Sequence, residues 1–182
     1  MEFFELSKLP VNLWRNGAGE SREICCFPPD TGNFNWRASI ASLASSGEFA
    51  SFANVDRAIT LLEGGEVLLD GVGNSGHVLK RHQPFFFPGD KRVYAELTQG
   101  MMSMNFNLIT QRARCKARTR VADRTFSTLG TRGGIAYVLS GEWQFGDKLL
   151  RPDQGAWWGD GLHTVRLLKN TGTLLYSEIT YL

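Results

Sequence analysis

Leu61-Leu62-Glu63-Gly64-Gly65-Glu66 and, about 75 residues later, Val138-Leu139-Ser140-Gly141-Glu142 follow one pattern. In each, an apolar run stops at glycine and resumes after an acid. Short apolar runs broken in this way belong to β-strands, and glycines between them are hairpin material. An acidic turn follows each copy, Pro88-Gly89-Asp90 in one case and Pro152-Asp153-Gln154-Gly155 in the other. The pattern reads as one hairpin-rich unit used twice.

The rest of the chain agrees. Apolar runs are short, rich in β-branched and aromatic residues, and end at Gly, Pro or Asp within about ten positions. Separate strands are expected at 134–139 and 142–145, at 164–168 and 173–179, and at 113–121. No window holds a sustained 3.6-residue apolar face, and residues 49–55 offer at most one helical turn. With 182 residues, 42% of them hydrophobic and 12% aromatic, the chain supports a real core. The fold class is all-β. Two β units side by side suggest a jelly roll or barrel pair, which buries apolar faces and limits open edges.

Formal charge is only +2, too little to imply nucleic acid. Its distribution is uneven. Arg112, Arg114, Lys116, Arg118, Arg120 and Arg124 lie close together with Asp123 as the only acid among them, while the remainder is mildly acidic. In a strand, the alternation from Arg112 to Arg120 puts five bases on one wet face. No aromatics interleave to stack bases, so this is a solvated connector and not a nucleic-acid surface. Cys25, Cys26 and Cys115 make no disulfide framework and no CxxC pair; they read as structural thiols, with Cys25 and Cys26 on opposite strand faces. Met1-Glu2-Phe3-Phe4-Glu5 lacks the basic start and apolar segment of a signal peptide, and no run approaches the roughly 20 apolar residues of a membrane span. The expected location is the cytoplasm, without a membrane partner.

Catalytic motifs are absent. His77, His82 and His163 form no HxH or HExxH, so no metal is expected; there is no GxSxG elbow and no phosphate-cradling glycine loop. Glu20, Glu23 and Asp90 are available for acid–base work or for anchoring loops, but the separations that such work needs are set by the fold. No catalytic residue and no cofactor is assigned.

A polar set beside apolar strands remains. Trp14-Arg15-Asn16-Gly17-Ala18-Gly19-Glu20 crowds a guanidinium, an amide and an acid around glycines. In Trp36-Arg37-Ala38-Ser39-Ile40-Ala41, strand alternation puts Arg37, Ser39 and Ala41 on one face. Asn105 and Asn107 share a face, leaving Met104, Phe106 and Leu108 for the core. Together with Arg57 these groups suit a small anion, because a guanidinium offers a planar fork and each charge-assisted bond contributes about 1.5–3 kcal/mol. The competing possibility is that the arginines pair with Glu20, Asp56 and Asp90 and merely lace loops together.

These same segments resemble the HutD/Ves family. The likeness runs through Trp14 to Glu20 with Arg22-Glu23-Ile24, Trp36 to Ala41, Asp56-Arg57 before Thr60-Leu61-Leu62-Glu63-Gly64, and Met104-Asn105-Phe106-Asn107, and it extends over essentially the whole chain. It implies a cupin-type double β-barrel, a bicupin with jelly-roll-like halves. The halves are expected at 1–110 and 111–182, sharing strands and forming one compact unit. It also implies bacterial cytoplasmic proteins, some of them beside histidine-degradation genes, with a small-molecule-binding or regulatory role and no established catalysis. Ala18 stands where many relatives have glycine; alanine resists the left-handed backbone, so this loop is expected to be set differently.

The combined expectation is a metal-free, non-enzymatic binder of a small anionic or carboxylate metabolite. Trp14, Arg15, Asn16, Arg37, Arg57, Asn105 and Asn107 would form its site. Two alternatives stand beside it. One is a small hydrolase or isomerase using Glu20, Glu23 or Asp90. The other is a stress-related protein-interaction module using Phe85-Phe86-Phe87 or Trp157-Trp158.

Overall fold

The computed structural model describes residues Met1–Leu182. Apart from a 3-10 turn at Leu6–Lys8, every regular element is a strand. In chain order these are β1 (Glu2–Glu5), β2 (Val11–Leu13), β3 (Gly19–Phe27), β4 (Trp36–Leu43), β5 (Gly47–Glu48) and β6 (Val55–Gly64). Next come β7 (Val67–Asp70), β8 (His77–Leu79), β9 (Phe85–Pro88), β10 (Tyr94–Leu97) and β11 (Ser103–Gln111). The last are β12 (Cys115–Ala122), β13 (Phe126–Ser127), β14 (Gly133–Phe145), β15 (Lys148–Leu150), β16 (Gln154–Trp158) and β17 (Thr164–Tyr181).

Two compact units divide the chain. Pro10–Ala113 forms the first; Met1–Leu9 and Arg114–Leu182 together form the second. The division therefore differs from 1–110 and 111–182 mainly at the start of the chain. The reason is a strand pairing: β1 lies antiparallel to β16, with Glu2 opposite Trp157 and Glu5 opposite Gln154. Residues 1–9 complete an edge of the second unit's sheet.

Strand order shows what the repeated sequence pattern encodes. The first unit contains β2-β3-β4-β11-β6-β9 and a smaller sheet β5-β10-β7-β8. The second contains β1-β16-β14-β17-β12, with β13 on β17 and β15 on β14. The series β4-β11-β6-β9 and β12-β17-β14-β16 match position for position, all antiparallel. The hydrogen-bonded orders are linear, so pairing alone closes neither unit into a barrel.

The quoted glycines do a different job from the expected one. Gly64-Gly65 is no hairpin, because β6 and β7 belong to different sheets. Gly141 lies inside β14, whose pairing with β17 shifts register between Val138 and Ser140 and again between Ser140 and Glu142. Such irregularities bend a strand within its sheet, whereas at Gly64 the chain bends from one sheet into the other. Both bends need glycine: Gly64 has φ +96 and Gly141 φ +78, and a Cβ would strike the carbonyl of Met102 or of Thr171. In the second unit the strands pass through the bend unbroken, which is why the expected pairs 134–139 with 142–145 and 164–168 with 173–179 are single strands. Gly133 and Gly134 also lie within β14 and form no hairpin.

Each unit has its own core. Leu43, Ile59, Val67, Leu69, Val93 and Ala95 are fully buried in the first. Trp143, Phe145, Ala156, Trp158, Val165 and Leu174 fill the second. Each large apolar side chain so buried contributes about 1.5–3 kcal/mol. The basic run is shorter than a strand from residue 113 would make it. β12 begins at Cys115, so Arg112 and Arg114 fall in the preceding turn, and only Lys116, Arg118 and Arg120 alternate on the exposed face.

Candidate anion site in the first unit

Register places the arginines. Ile109 of β11 is opposite Arg37 of β4 on one side and Arg57 of β6 on the other. Arg57 in turn faces Phe87 of β9. Side chains alternate along strands, so Arg37, Ile109 and Arg57 form one row on the same face, with the two arginine backbones roughly 10 Å apart. The next row on that face is Ser39, Asn107 and Ile59, and the one after it is Ala41, Asn105 and Leu61. The opposite face of β4, with Trp36, Ala38 and Ile40 each at most 1% exposed, is closed by packing.

Above these rows lies a cavity of about 720 Å³, within the size range of small-molecule sites. Arg37, Ser39, Ala41, Arg57, Asn107 and Ile109 form its floor. Trp14, Arg15, Asn16 and Ser21 form one lip, and residues 48–52 cross it as a strap. Its charged lining is four arginines and one acid, Glu48, and both Glu48 oxygens are engaged by Arg92.

Arg57 is the central group. It is 9% exposed. Its Nη1 donates to the Ala50 carbonyl at 3.2 Å and its Nη2 to Asn107 Oδ1 at 3.3 Å. Its Nε is buried and has no partner. No carboxylate pairs with it. Burial, reinforced by the neighbouring charge of Arg37, pushes its guanidinium down to about 10. Arg37 is half-buried and is held by ring faces alone, those of Phe34 and Phe52 at 5.3 and 5.1 Å. The acids that might have tied these arginines down are committed elsewhere. Asp56 and Asp90 both pair with Arg112, and Glu20 with Arg22. The loop-lacing reading is thereby overturned for Arg37 and Arg57.

The lip is set by its own turn. Gly17 N–H donates to the Trp14 carbonyl, Trp14 N–H to that of Gly19, and Asn16 Oδ1 accepts from Ala18 N–H at 2.9 Å. Trp14 Nε1 donates to Ser21 Oγ at 2.7 Å, and its ring meets Phe49 edge-on. The left-handed residue is Gly17, with φ +72, so the backbone asks no left-handed conformation of Ala18. Ala18 is 3% exposed and packs on Gly47, where an added Cβ would come within 2.7 Å of the Ala18 Cβ. Gly47→Ala is expected to cost about 1–3 kcal/mol. Ala18→Gly in the same chain should recover most of it, a coupling that a thermal-denaturation double-mutant cycle will read.

Of the expected site residues, the cavity gathers Trp14, Arg15, Asn16, Arg37, Arg57 and Asn107. Asn105 stays outside it. One row deeper, beside core residue Leu61, it is 1% exposed and donates to Ser103 Oγ. Glu20, Glu23 and Asp90 do not line the cavity, and Glu20 and Asp90 anchor local ion pairs instead. Phe86 is half-exposed, whereas Phe87 and Trp158 are buried. Sequence reading missed the strap. Phe49 and Phe52, three apart, imitate helical spacing, but residues 49–52 form no helix and bring Phe49, Ala50 and Phe52 onto the two arginines.

Cys25 and Cys115 are buried, and Cys26 is partly so. Burial pushes up the Cys25 and Cys26 thiols and keeps them protonated. No three His, Cys, Asp or Glu side chains gather as a metal site. No helix is long and apolar enough to cross a membrane.

A mostly-β chain with a polar cavity on its larger first-unit sheet has a cupin-like fold related to that of HutD. The solved structure of HutD from Pseudomonas fluorescens in a formate condition superposes with a TM-score of 0.86 at 27% identity, covering 100% of this chain and 98% of that one. A family model described as HutD matches residues 6–176. Proteins called Ves from Cronobacter sakazakii and Citrobacter koseri are 66% and 65% identical over 182 residues, covering all of this chain and 100% and 95% of theirs. The chain belongs to the HutD/Ves family.

Proposed function

We propose that this protein binds a small anionic metabolite in the first-unit cavity and that it does so without metal or catalysis. One observation carries the reading: Arg57 is buried without a carboxylate partner and retains a free Nε. A buried cation lacking a counter-ion is costly to an empty protein, and an anionic ligand offsets that cost. Arg37 adds a second uncommitted guanidinium and Arg15 a third at the lip. Trp14 supplies an apolar wall, and Asn107 orients Arg57. Such a cationic lining repels metal ions. The acid–base alternative has less support, since Glu20, Glu23 and Asp90 lie off the cavity and Glu48 is tied to Arg92. The matching strand series also support a finer architectural reading, in which each unit folds over as a jelly-roll half of a bicupin.

Calorimetric titration with a panel of small carboxylates and inorganic oxyanions, at fixed pH and ionic strength, should reveal one saturable site per chain. Its occupant should raise the melting temperature, because a ligand of the folded state stabilises that state. Arg37→Gln should weaken the binding at least about tenfold. If no anion in the panel binds or stabilises, the reading fails.

A further inference from the structure

We propose that the strap is displaced when the site fills: an anion takes Arg57 from the Ala50 carbonyl and frees residues 50–52 from the cavity. This rests on the anion-binding reading and adds the regulation of that site. In the empty protein no donor of Arg57 stands open. Nη1 is engaged by the Ala50 carbonyl, Nη2 by Asn107 Oδ1, and Nε is buried. An anion therefore gains the guanidinium only when one of the two acceptors gives way. Asn107 is fixed inside β11, between Ser39 of β4 and Ile59 of β6, and is 6% exposed. Ala50 lies outside every strand and is exposed. Its carbonyl can exchange the guanidinium for water at little cost, whereas the Asn107 oxygen would be left buried and unpaired. The strap is the partner that yields. An anion also brings a charge–charge attraction that a carbonyl dipole lacks, and a buried setting strengthens it.

The remaining ties of the strap decide where it moves. Phe49 belongs to the first unit's core, and its N–H donates to the Val93 carbonyl. Glu48, just before it, is paired with Arg92. This end is the hinge. Phe52 at the other end is only half-buried; its N–H donates to the Gly89 carbonyl, and its ring centroid lies 5.1 Å from Arg37 Cζ. For the Phe52 amide to open, the Ala50–Arg57 bond must break with it. Once an anion has taken that bond, opening is easier. Filling of the cavity is thereby displayed at the surface, where a segment held in the empty protein becomes free.

Hydrogen exchange, followed by NMR residue by residue, reads this directly. The probes are acetate, benzoate, sulfate and inorganic phosphate, each added to saturation at matched pH and ionic strength, with binding measured calorimetrically. An anion that binds should slow exchange at Asn107 and Leu108 in β11, because it stabilises the fold. It should speed exchange at Phe52 at least about tenfold, while Phe49 keeps its protection. Arg57→Met should speed Phe52 about as much in the empty protein, and no anion should speed it further. If Phe52 slows together with β11, or does not change, displacement is refuted and the anion site stands. If none of the four anions binds, both readings fall. Should Arg57→Met fail to fold, the opposite signs at Phe52 and in β11 of the wild-type protein decide the matter.

Discussion

Arg57→Met is expected to lower anion affinity at least about a hundredfold while moving the melting temperature of the empty protein by no more than about 5 °C. The binding loss follows from removing the charge-assisted bonds that the buried guanidinium would make to the anion. The small stability change follows from opposed terms. Holding the guanidinium down at about 10 reflects a cost of roughly 3 kcal/mol to the unliganded fold, and methionine removes it. Against this, the Ala50 and Asn107 oxygens lose their donors and two rings lose a cation, at about 1 kcal/mol each. A purely structural arginine would behave differently. If Arg57→Met instead destabilises the protein by several kcal/mol, Arg57 is a brace for the strap and not a ligand group. Calorimetry and thermal unfolding on the same preparation settle which.

The second large effect is conformational. Gly64→Ala should cost on the order of 3–5 kcal/mol, because alanine would be strained at φ +96 and its Cβ would meet the Met102 carbonyl in the adjoining backbone. Gly73→Ala serves as the control. It also has a left-handed backbone, at φ +64, but nothing lies within 4 Å of an added Cβ, so about 1 kcal/mol is expected. The difference between the two, read from urea midpoints, isolates the close approach at the bend between sheets. Equal costs would show that Gly64 matters only for its dihedral angles.

What was legible in the sequence was mainly what strand alternation determines. Arg37, Ser39 and Ala41 share the cavity face because alternate residues must, and Trp36, Ala38 and Ile40 are buried for the same reason. The twofold use of one strand order was legible through Gly64 and Gly141. Their role was not, since a glycine in a hairpin and a glycine at a bend look alike until the partner backbone is in place. Asn105 was assigned to the site because it shares a face with Asn107; one row of register separates a cavity from a core, and register is a tertiary property. The strap was hidden because its conformation depends on groups distant in the chain. Ala50 and Phe49 are fixed by Arg57, and Phe52 by Arg37. The repeat also shows why the site occurs once. Seven residues before Gly64 stands Arg57; seven before Gly141 stands Gly134, and the Trp158 indole lies against it where a side chain would project.

The pairing of β1 with β16 has a consequence for how the chain is made. Residues 10–113 can assemble as they emerge from the ribosome, whereas Glu2–Glu5 must wait for Gln154–Trp157 before their hydrogen bonds can form. At about 5–20 residues per second, that wait is on the order of ten seconds. Throughout it an apolar pair, Phe3-Phe4, is presented without its partner strand, and acids at Glu2 and Glu5 flank it. Such gatekeeping charges discourage premature pairing with other nascent chains. β1 thus leaves the ribosome long before the strand on which it depends.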